Sequence, residues 1–239
     1  MPDLQYFDYG EKEIQWLKAR DPILGAAMDE IEHINRPIIP DMFTALVNAI
    51  VGQQISTKAH VTIWNRMLEK FSSITPETLG AISAEELQSC GISMRKALYI
   101  KEIADSVLKG SLNLRLLQTM SDEQVCLHLG QIKGIGVWTA EMLLIFSLQR
   151  PDVMSRYDLA ILRGLRMLYH HRKITPQLFN KYKRRYSPYA TVASLYLWAI
   201  AGGACQHLVD YQPKKAVPPK EEAKRRRKPV HAAEGTAAD

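Results

Sequence analysis

Residues 130–158 read GQIKGIGVWTAEMLLIFSLQRPDVMSRYD, and the organisation of the rest of the chain can be worked outward from this stretch. Near its start a short turn, residues 133–136 (KGIG), separates two segments whose apolar residues recur at helical spacing. Two glycines one residue apart permit positive φ and a close approach of the backbone to another molecule. The apolar segment from Val137 to Leu148 follows at once, so the amides of the turn lie at a helix N-terminus, which favours an anion such as a phosphate.

A single carboxylate, Asp158, follows the turn at a distance. It lies twenty residues after Trp138 (158 − 138), and the nearest acid before it is Asp152. Asp is a preferred N-cap, so Asp158 is consistent with a purely structural start to the next helix. The second interpretation is catalytic, because a fixed anion beside a sugar stabilises the positive charge that develops as a base departs. A phosphate-binding turn followed by an isolated acid indicates an enzyme that acts on nucleic acid.

The sequence GIGVWTAEMLL at residues 134–144, preceded by AIVGQQIS at residues 49–56, resembles the helix–hairpin–helix DNA glycosylase superfamily. Within it, the chain is most similar to the type II 3-methyladenine DNA glycosylases, over about residues 41–203. The resemblance implies two helical subdomains that flank a DNA-binding cleft. It also implies a monofunctional enzyme that hydrolyses the N-glycosidic bond of alkylated purines in double-stranded DNA, leaving an abasic site for base excision repair.

The resemblance assigns the catalytic role to Asp158, although relatives often have two adjacent acids where this chain has Tyr157-Asp158. Superfamily members that also cut the DNA backbone have a lysine where this chain has Trp138, so hydrolysis without lyase activity is expected. Trp138 and Trp198 are expected to line the base pocket and to bind a cationic alkylpurine by stacking and cation–π attraction. A core position for either tryptophan is the alternative.

Two further pocket positions differ from the family pattern. Met142 and Leu159 occupy positions where type II relatives have tyrosines, so a less aromatic pocket is expected, with the core as the alternative location. A cationic alkylpurine is a good leaving group that requires no strong general acid, and the sequence offers none near Asp158. A catalytically silent DNA-binding module and a glycosylase for another damaged base are the competing hypotheses.

The segment Gly52-Gln53-Gln54 interrupts an apolar helical pattern that begins at Asp41. One interpretation is a tight corner between two helices that carries solvated glutamines. The other is the loop with which the resembling family inserts a side chain into the DNA base stack. The resemblance favours this loop, with Gln54 as the inserted side chain, or wedge. The DNA contacts that the resemblance implies are Gln53, Gln54, Ser56, Lys133, Gly134, Gly136 and Thr139. It also implies a monovalent cation, Na⁺ or K⁺, on the backbone carbonyls of Gly130, Ile132 and Ile135, and no cofactor for catalysis.

The three cysteines, Cys90, Cys126 and Cys205, are far apart and odd in number. Because no CxxC pair exists, we expect no zinc site, iron–sulfur cluster or disulfide framework. We expect three buried thiols instead. No apolar run reaches the roughly 18 residues of a membrane span. The N-terminal residues lack the pattern of a secretory signal, so an intracellular protein is expected. Its location would be the cytoplasm or nucleoid of a bacterium or the nucleus of a eukaryote. A monomer is also expected.

The net charge of +6 is unevenly distributed along the chain. Residues 212–239 contain eight Lys/Arg and four Asp/Glu, a net charge of +4, which leaves 6 − 4 = +2 for residues 1–211. Residues 212–239 have no aromatic residue, and we expect a disordered basic tail that serves as a DNA arm, a nuclear localisation signal or a solubilising segment. Residues 1–211 are expected to form the glycosylase domain, with residues 41–149 in one subdomain and residues 1–40 plus 150–211 in the other.

Helical spacing and capping signals recur along the chain, and no segment shows sustained period-two alternation, so an all-α fold is predicted. Thr-Pro pairs at residues 75–76 and 175–176 and Ser-x-x-Glu/Gln boxes at 83–86 and 121–124 mark helix starts. Helices are predicted at residues 11–19, 22–34, from 41 to the break at 52, 56–71, 94–108, 121–129, 137–148, from 158 onward, and 191–201.

Overall fold

The computed structural model describes residues 4–211, so the predicted basic tail, residues 212–239, lies outside the described residues. Within the described range the chain forms twelve α-helices and one 3₁₀ helix. The strand-like pairing in that range is an isolated antiparallel bridge between Tyr6 and Pro37. The predicted all-α fold is therefore confirmed. None of the helices between residues 4 and 211 combines the length and apolar character needed to cross a bilayer.

The helices follow one another with short connections. Their bounds are α1 Glu11–Arg20, α2 Pro22–Ile31, α3 Met42–Gly52, α4 Thr57–Lys70, α5 Pro76–Ala81, α6 Ala84–Gln88, α7 Met94–Leu108, α8 Asp122–Gly130, α9 Val137–Phe146, α10 Leu159–Tyr169, α11 Pro176–Tyr186 and α12 Ala190–Ala201. The 3₁₀ helix, Leu114–Thr119, lies between α7 and α8.

Most helix starts lie where the capping signals predict them. The Asp41 side chain accepts a hydrogen bond from the Thr44 amide at the start of α3, and both predicted capping boxes form at α6 and α8. Two helix ends differ from the prediction. Helix α2 stops at Ile31 rather than residue 34, because Glu32 has a φ of 64°, outside the helical region. Helix α9 stops at Phe146 rather than residue 148.

The first of two hydrophobic clusters is drawn from residues 42–153. Helix α3 lies against α9, and α7 lies against α5 and α6. The long apolar side chains of α3 and α7 at its centre are fully buried, among them Leu46, Ile50, Ile100 and Ile103. Burying a side chain of this size stabilises the fold by roughly 1.5–3 kcal/mol relative to exposure. This cluster carries the predicted hairpin on α8 and α9.

The second cluster combines residues 7–38 with residues 154–205. Its closest helix pair is α10 with α12. A Cβ added to Gly164 would lie 2.3 Å from the Leu197 carbonyl oxygen, so the close approach of these two helices requires glycine at that position. Trp198 on α12 packs against both clusters and therefore marks the seam between them.

A buried aspartate joins the N-terminal helices to the second cluster. Asp21, which is 1% exposed, caps α2 by accepting hydrogen bonds from the amides of Ile23 and Leu24. Its other oxygen accepts from the Tyr169 hydroxyl at 2.7 Å and from Arg185 Nη1 at 2.6 Å. A buried carboxylate needs such donors, because an unpaired one would cost several kcal/mol. These bonds connect α2 to α10 and α11.

Candidate active site

Asp158 is both a helix cap and a hydrogen-bond acceptor from across the molecule. One carboxylate oxygen, Oδ1, accepts from the amides of Ala160 and Ile161 at 2.9 and 3.0 Å, which caps α10. The other oxygen, Oδ2, accepts from the indole Nε1 of Trp138 at 2.9 Å. Asp158 is 8% exposed, so three N–H donors fix the orientation of a nearly buried carboxylate. The structural and catalytic interpretations of Asp158 are compatible, because capping occupies one oxygen only.

The Trp138–Asp158 hydrogen bond crosses the seam between the two clusters. Trp138 lies in the first turn of α9 and packs against the first cluster. Asp158 begins α10, whose Ile161 is buried in the second cluster. Because the bond joins helices that belong to different cores, it fixes the carboxylate relative to the aromatic wall of α9.

One face of α9 extends from Trp138, beside Asp158, to Phe146, whose ring is paired with that of Trp198. Trp138, Met142 and Phe146 are spaced four residues apart and therefore share this face, which spans about 12 Å along the helix axis. Met142 is 6% exposed. At the far end, the Phe146 ring stacks on that of Trp198, with centroids 5.6 Å apart. The two tryptophans assigned to the base pocket therefore lie at opposite ends of one helix face.

Leu159, the remaining residue assigned to the pocket, immediately follows the catalytic candidate. Its side chain is 80% exposed, which excludes the core position that was its alternative. The reason is its place in the first turn of α10, whose buried side begins with Ile161. A role at the entrance to the pocket stays a prediction.

Glu141 is an acidic neighbour of Asp158 that the sequence interpretation missed. Its Oε2 atom and the Oγ atom of buried Ser155 have no hydrogen-bond partner within the described residues. Burial raises the pKa of the Glu141 carboxyl; the positive charge of Lys183 opposes the rise, and the negative charge of Asp158 adds to it. Glu141 follows Trp138 by three residues on α9, and this i, i+3 spacing was the available signal.

The predicted wedge, Gln54, is exposed and lies in a turn of unusual backbone geometry. Its φ of 54° is in the left-handed region, which costs a residue with a Cβ about 1–2 kcal/mol. Lys96 stabilises this turn, because its Nζ donates to the carbonyls of Val51 and Gln53 at 2.9 and 2.7 Å. The lysine is therefore bound to the loop, and its role is that of a loop anchor.

Gln53, the residue before the wedge, connects this loop to the hairpin. Its Nε2 donates to the Gly134 carbonyl and to Thr139 Oγ1, both at 2.9 Å. These bonds occupy both N–H groups of the amide, and the contact of Gln53 with DNA stays a prediction. The Thr139 side chain is 2% exposed, and a contact of this residue with DNA, through its backbone in the first turn of α9, stays a prediction.

The hairpin turn presents backbone amides at the start of α9. Gly134 has a φ of 89°, and an added Cβ would lie 2.2 Å from the Tyr99 ring, so both conformation and packing require glycine. Gly136 is exposed and is the N-cap of α9 with no side-chain cap, which leaves first-turn N–H groups for an anion. Lys133 is exposed beside them, and Ser56 on the neighbouring loop caps α4 through the Ala59 amide.

The carbonyls proposed to bind a monovalent cation differ in their bonding. The Ile132 carbonyl accepts a hydrogen bond from the Ile135 amide at 3.1 Å, whereas no backbone donor between residues 4 and 211 reaches the carbonyls of Gly130 and Ile135. Carbonyl oxygens suit hard cations, so the donor set fits, and the cation stays a prediction. In the described part of the chain no group of three or more His, Cys, Asp or Glu side chains is placed to hold a metal ion.

The three cysteines are free thiols, and two of them, Cys90 and Cys205, are buried as expected. Cys126 is partly exposed, so the expectation of three buried thiols is wrong for this residue. Desolvation, followed by the charge of Glu141, raises the pKa of Cys126 to about 11. A thiol with such a pKa is a poor nucleophile near neutral pH.

The chain is similar to proteins of known sequence and structure. The chain is 37% identical to DNA-3-methyladenine glycosylase 1 of Schizosaccharomyces pombe over 187 residues, 74% of this chain and 77% of that protein. The crystal structure of a DNA-3-methyladenine glycosidase from Bacillus halodurans superposes with a TM-score of 0.70 at 35% identity, covering 85% of this chain and 95% of that one. The S. pombe 3-methyladenine DNA glycosylase in complex with abasic DNA superposes with a TM-score of 0.72 at 33% identity, covering 80% and 97%.

The family model described as "HhH-GPD superfamily base excision DNA repair protein" matches residues 47–188. That range includes the loop with Gln54, the hairpin and Asp158, and the match extends over more than half of the 239 residues. With its two all-helical clusters, its hairpin and its similarity to these relatives, the chain belongs to the HhH-GPD superfamily of base excision DNA repair proteins.

Proposed function

We propose that this protein is a DNA-3-methyladenine glycosylase that hydrolyses the N-glycosidic bond of alkylated purines in double-stranded DNA and leaves an abasic site. The observation that carries the proposal is the 2.9 Å hydrogen bond between Trp138 and Asp158, which fixes a nearly buried carboxylate beside an aromatic wall. The relatives are DNA-3-methyladenine glycosylases, and one of them was solved in complex with abasic DNA, which supports the same activity.

Asp158 supplies the negative charge that the reaction needs. As the base departs, positive charge develops on the sugar, and a fixed carboxylate stabilises it more than water does because it requires no reorganisation. Oδ2 accepts a single hydrogen bond, from Trp138, so it retains a lone pair to orient a water molecule for attack on the sugar.

Trp138 also determines whether the enzyme can cut the DNA backbone after the base has been removed. Cutting the DNA backbone through a Schiff base needs an amine at the hairpin position that Trp138 occupies. An indole cannot form that bond, so the proposed product is an intact abasic site. We propose that the extruded base lies along the α9 face between Trp138 and Trp198, where stacking and cation–π attraction favour an electron-poor purine.

The DNA backbone would be held without reading its sequence. The amides of Gly134 and Gly136, the exposed Lys133 and the region of Ser56 are proposed phosphate contacts, with Na⁺ or K⁺ on the hairpin carbonyls as a bridge. Gln54 is the proposed wedge that fills the gap left by the base. We propose that the protein acts as a monomer and needs no cofactor for catalysis. The two clusters support the subdomains predicted at residues 41–149 and at 1–40 plus 150–211.

The test is base release from methylated DNA. Duplex DNA treated with a methylating agent is incubated with wild-type protein and with Asp158→Asn, and the released bases are identified by chromatography. We expect 3-methyladenine from wild type and none from the variant. The DNA should stay unbroken until alkali is added; strand cleavage without alkali would contradict the absence of lyase activity. Tight binding of damaged DNA without base release would instead identify a DNA-binding module.

A further inference from the structure

Arg36 lies at the end of the α9 face opposite Asp158. Its guanidinium carbon is 5.0 Å from the ring centroid of Phe146 and 5.8 Å from that of Trp198, the stacked pair described above. Arg36 is exposed, and its side chain makes no hydrogen bond or ion pair with any residue between 4 and 211. Its N–H donors are therefore free for a ligand.

The position of Arg36 relative to Asp158 follows from the helix between them. Trp138 bonds to Asp158, and Phe146, two turns further along α9, lies under Arg36. A carboxylate and a guanidinium therefore bracket a helix face about 12 Å long.

We propose that Arg36 is a specificity-determining residue whose guanidinium faces the outer edge of the extruded base and favours neutral modified purines over cationic ones. The inference rests on the proposed function. When the sugar lies beside Asp158, the base extends along α9 toward Phe146 and meets the guanidinium. An acceptor such as a purine O6 atom then receives a charge-assisted hydrogen bond in a partly desolvated site.

The charge of the leaving base decides the effect. When the N-glycosidic bond breaks, its electron pair leaves with the base, and the oxygen of a water molecule bonds to the sugar carbon. A cationic alkylpurine becomes neutral as it leaves, so a nearby guanidinium repels its bound state. A neutral purine gains negative charge until a proton from the water neutralises it, and the guanidinium stabilises that charge. Departure makes either base more negative, so Arg36 assists both. It discriminates in kcat/KM, the rate measured from free enzyme and DNA, because only the cationic base is repelled when it enters the pocket.

Two lesions that both carry O6 but differ in charge provide the test. Duplexes with a single 7-methylguanine, which is cationic, or a single hypoxanthine, which is neutral, are assayed with enzyme in excess of DNA but below saturation, so that the rate reports kcat/KM. The proteins are wild type, Arg36→Met, which keeps the packing over the rings, and Arg36→Lys, which keeps the charge. We expect the hypoxanthine/7-methylguanine rate ratio to fall about tenfold in Arg36→Met and to stay within about twofold of wild type in Arg36→Lys.

The outcomes separate this inference from the proposed function. A wild-type protein that releases neither test base, and no 3-methyladenine from methylated DNA, removes the proposed function. Release of 3-methyladenine but of neither test base leaves the glycosylase intact and overturns the role of Arg36. Release of 7-methylguanine without release of hypoxanthine, or an unchanged ratio in Arg36→Met, leaves the glycosylase intact and overturns the role of Arg36. An equal loss for both lesions in Arg36→Met also overturns it, because support of the aromatic pair alone would slow both reactions alike.

Discussion

Replacing Asp158 by asparagine should cost stability as well as activity. The carboxylate accepts from three N–H donors, two at the start of α10 and one on Trp138. An asparagine has a single acceptor oxygen. If that oxygen caps α10, its NH₂ group faces the indole N–H; if the oxygen faces Trp138, the NH₂ group faces the cap amides. Either orientation leaves a donor opposite a donor.

The size of the effect can be worked out from these contacts. Loss of a cap costs about 0.5–2 kcal/mol, and loss of a hydrogen bond to a charged group costs about 1.5–3 kcal/mol. We therefore expect Asp158→Asn to lower the free energy of unfolding by about 2 kcal/mol. In Trp138→Phe the indole donor is gone, so adding Asp158→Asn should then cost little. The coupling free energy between the two positions should be about 1–2 kcal/mol.

The assay is a double-mutant cycle. Urea unfolding of the wild type, the two single variants and the double variant yields the coupling, and single-turnover base excision is measured on the same four proteins. For a chain of this length, 1 kcal/mol corresponds to about 2–4 °C in Tm, so thermal unfolding resolves it as well. Additivity within about 0.5 kcal/mol would refute the hydrogen bond. Excision by Asp158→Asn at nearly the wild-type rate would show that Asp158 is a cap and that the chemistry occurs elsewhere.

Three further substitutions test the wedge, a helix contact and the missed acid. Gln54→Ala should slow excision of a lesion opposite its normal partner more than excision of the same lesion opposite a mismatch, because a mismatched lesion is already partly unstacked; equal losses would indicate a structural corner. Gly164→Ala should destabilise the fold by about 3 kcal/mol in urea unfolding, since its Cβ would meet the Leu197 carbonyl at 2.3 Å, and a loss below about 1 kcal/mol would contradict the close packing of α10 on α12. Glu141→Gln should be more stable than wild type near neutral pH, and the difference should vanish at acid pH. The folded-state pKa of Glu141 is raised, so the wild type loses stability as pH rises from the usual glutamate range through that pKa. A difference in Tm between Glu141→Gln and wild type that does not change with pH would contradict this reasoning.

The local part of the site could be predicted from the sequence because its signals lie within a few residues of each other. The glycine pair of the hairpin, the cap at Asp158 and the break at Gly52 each follow from backbone chemistry at one place. Trp138 and Asp158 were each assigned to the site from the sequence, and the structure joins them by a hydrogen bond.

Other parts of the site depend on residues brought together from distant segments. Arg36, Phe146 and Trp198 meet only after three separate segments have packed, and nothing near Arg36 in the sequence marks it as part of a pocket. Lys96 could be assigned to a phosphate or to solvent from its sequence, whereas its two carbonyl partners lie more than forty residues away. Residue type alone does not distinguish a cation that binds DNA from one that anchors a loop.

The way the loop around Gln54 is held has a consequence for how such an enzyme would search a genome. Lys96 and Gln53 fix the turn before DNA binds. The free-energy cost of the strained backbone at Gln54 is therefore included in folding and does not recur at each encounter with DNA. A probe that is already rigid does not adapt to each base pair that it encounters. The outcome of an encounter then depends on the compliance of the DNA itself: a well-stacked pair resists the probe, and a weakened one gives way. The protein would thus measure mechanical weakness in the duplex before it examines the chemistry of any base.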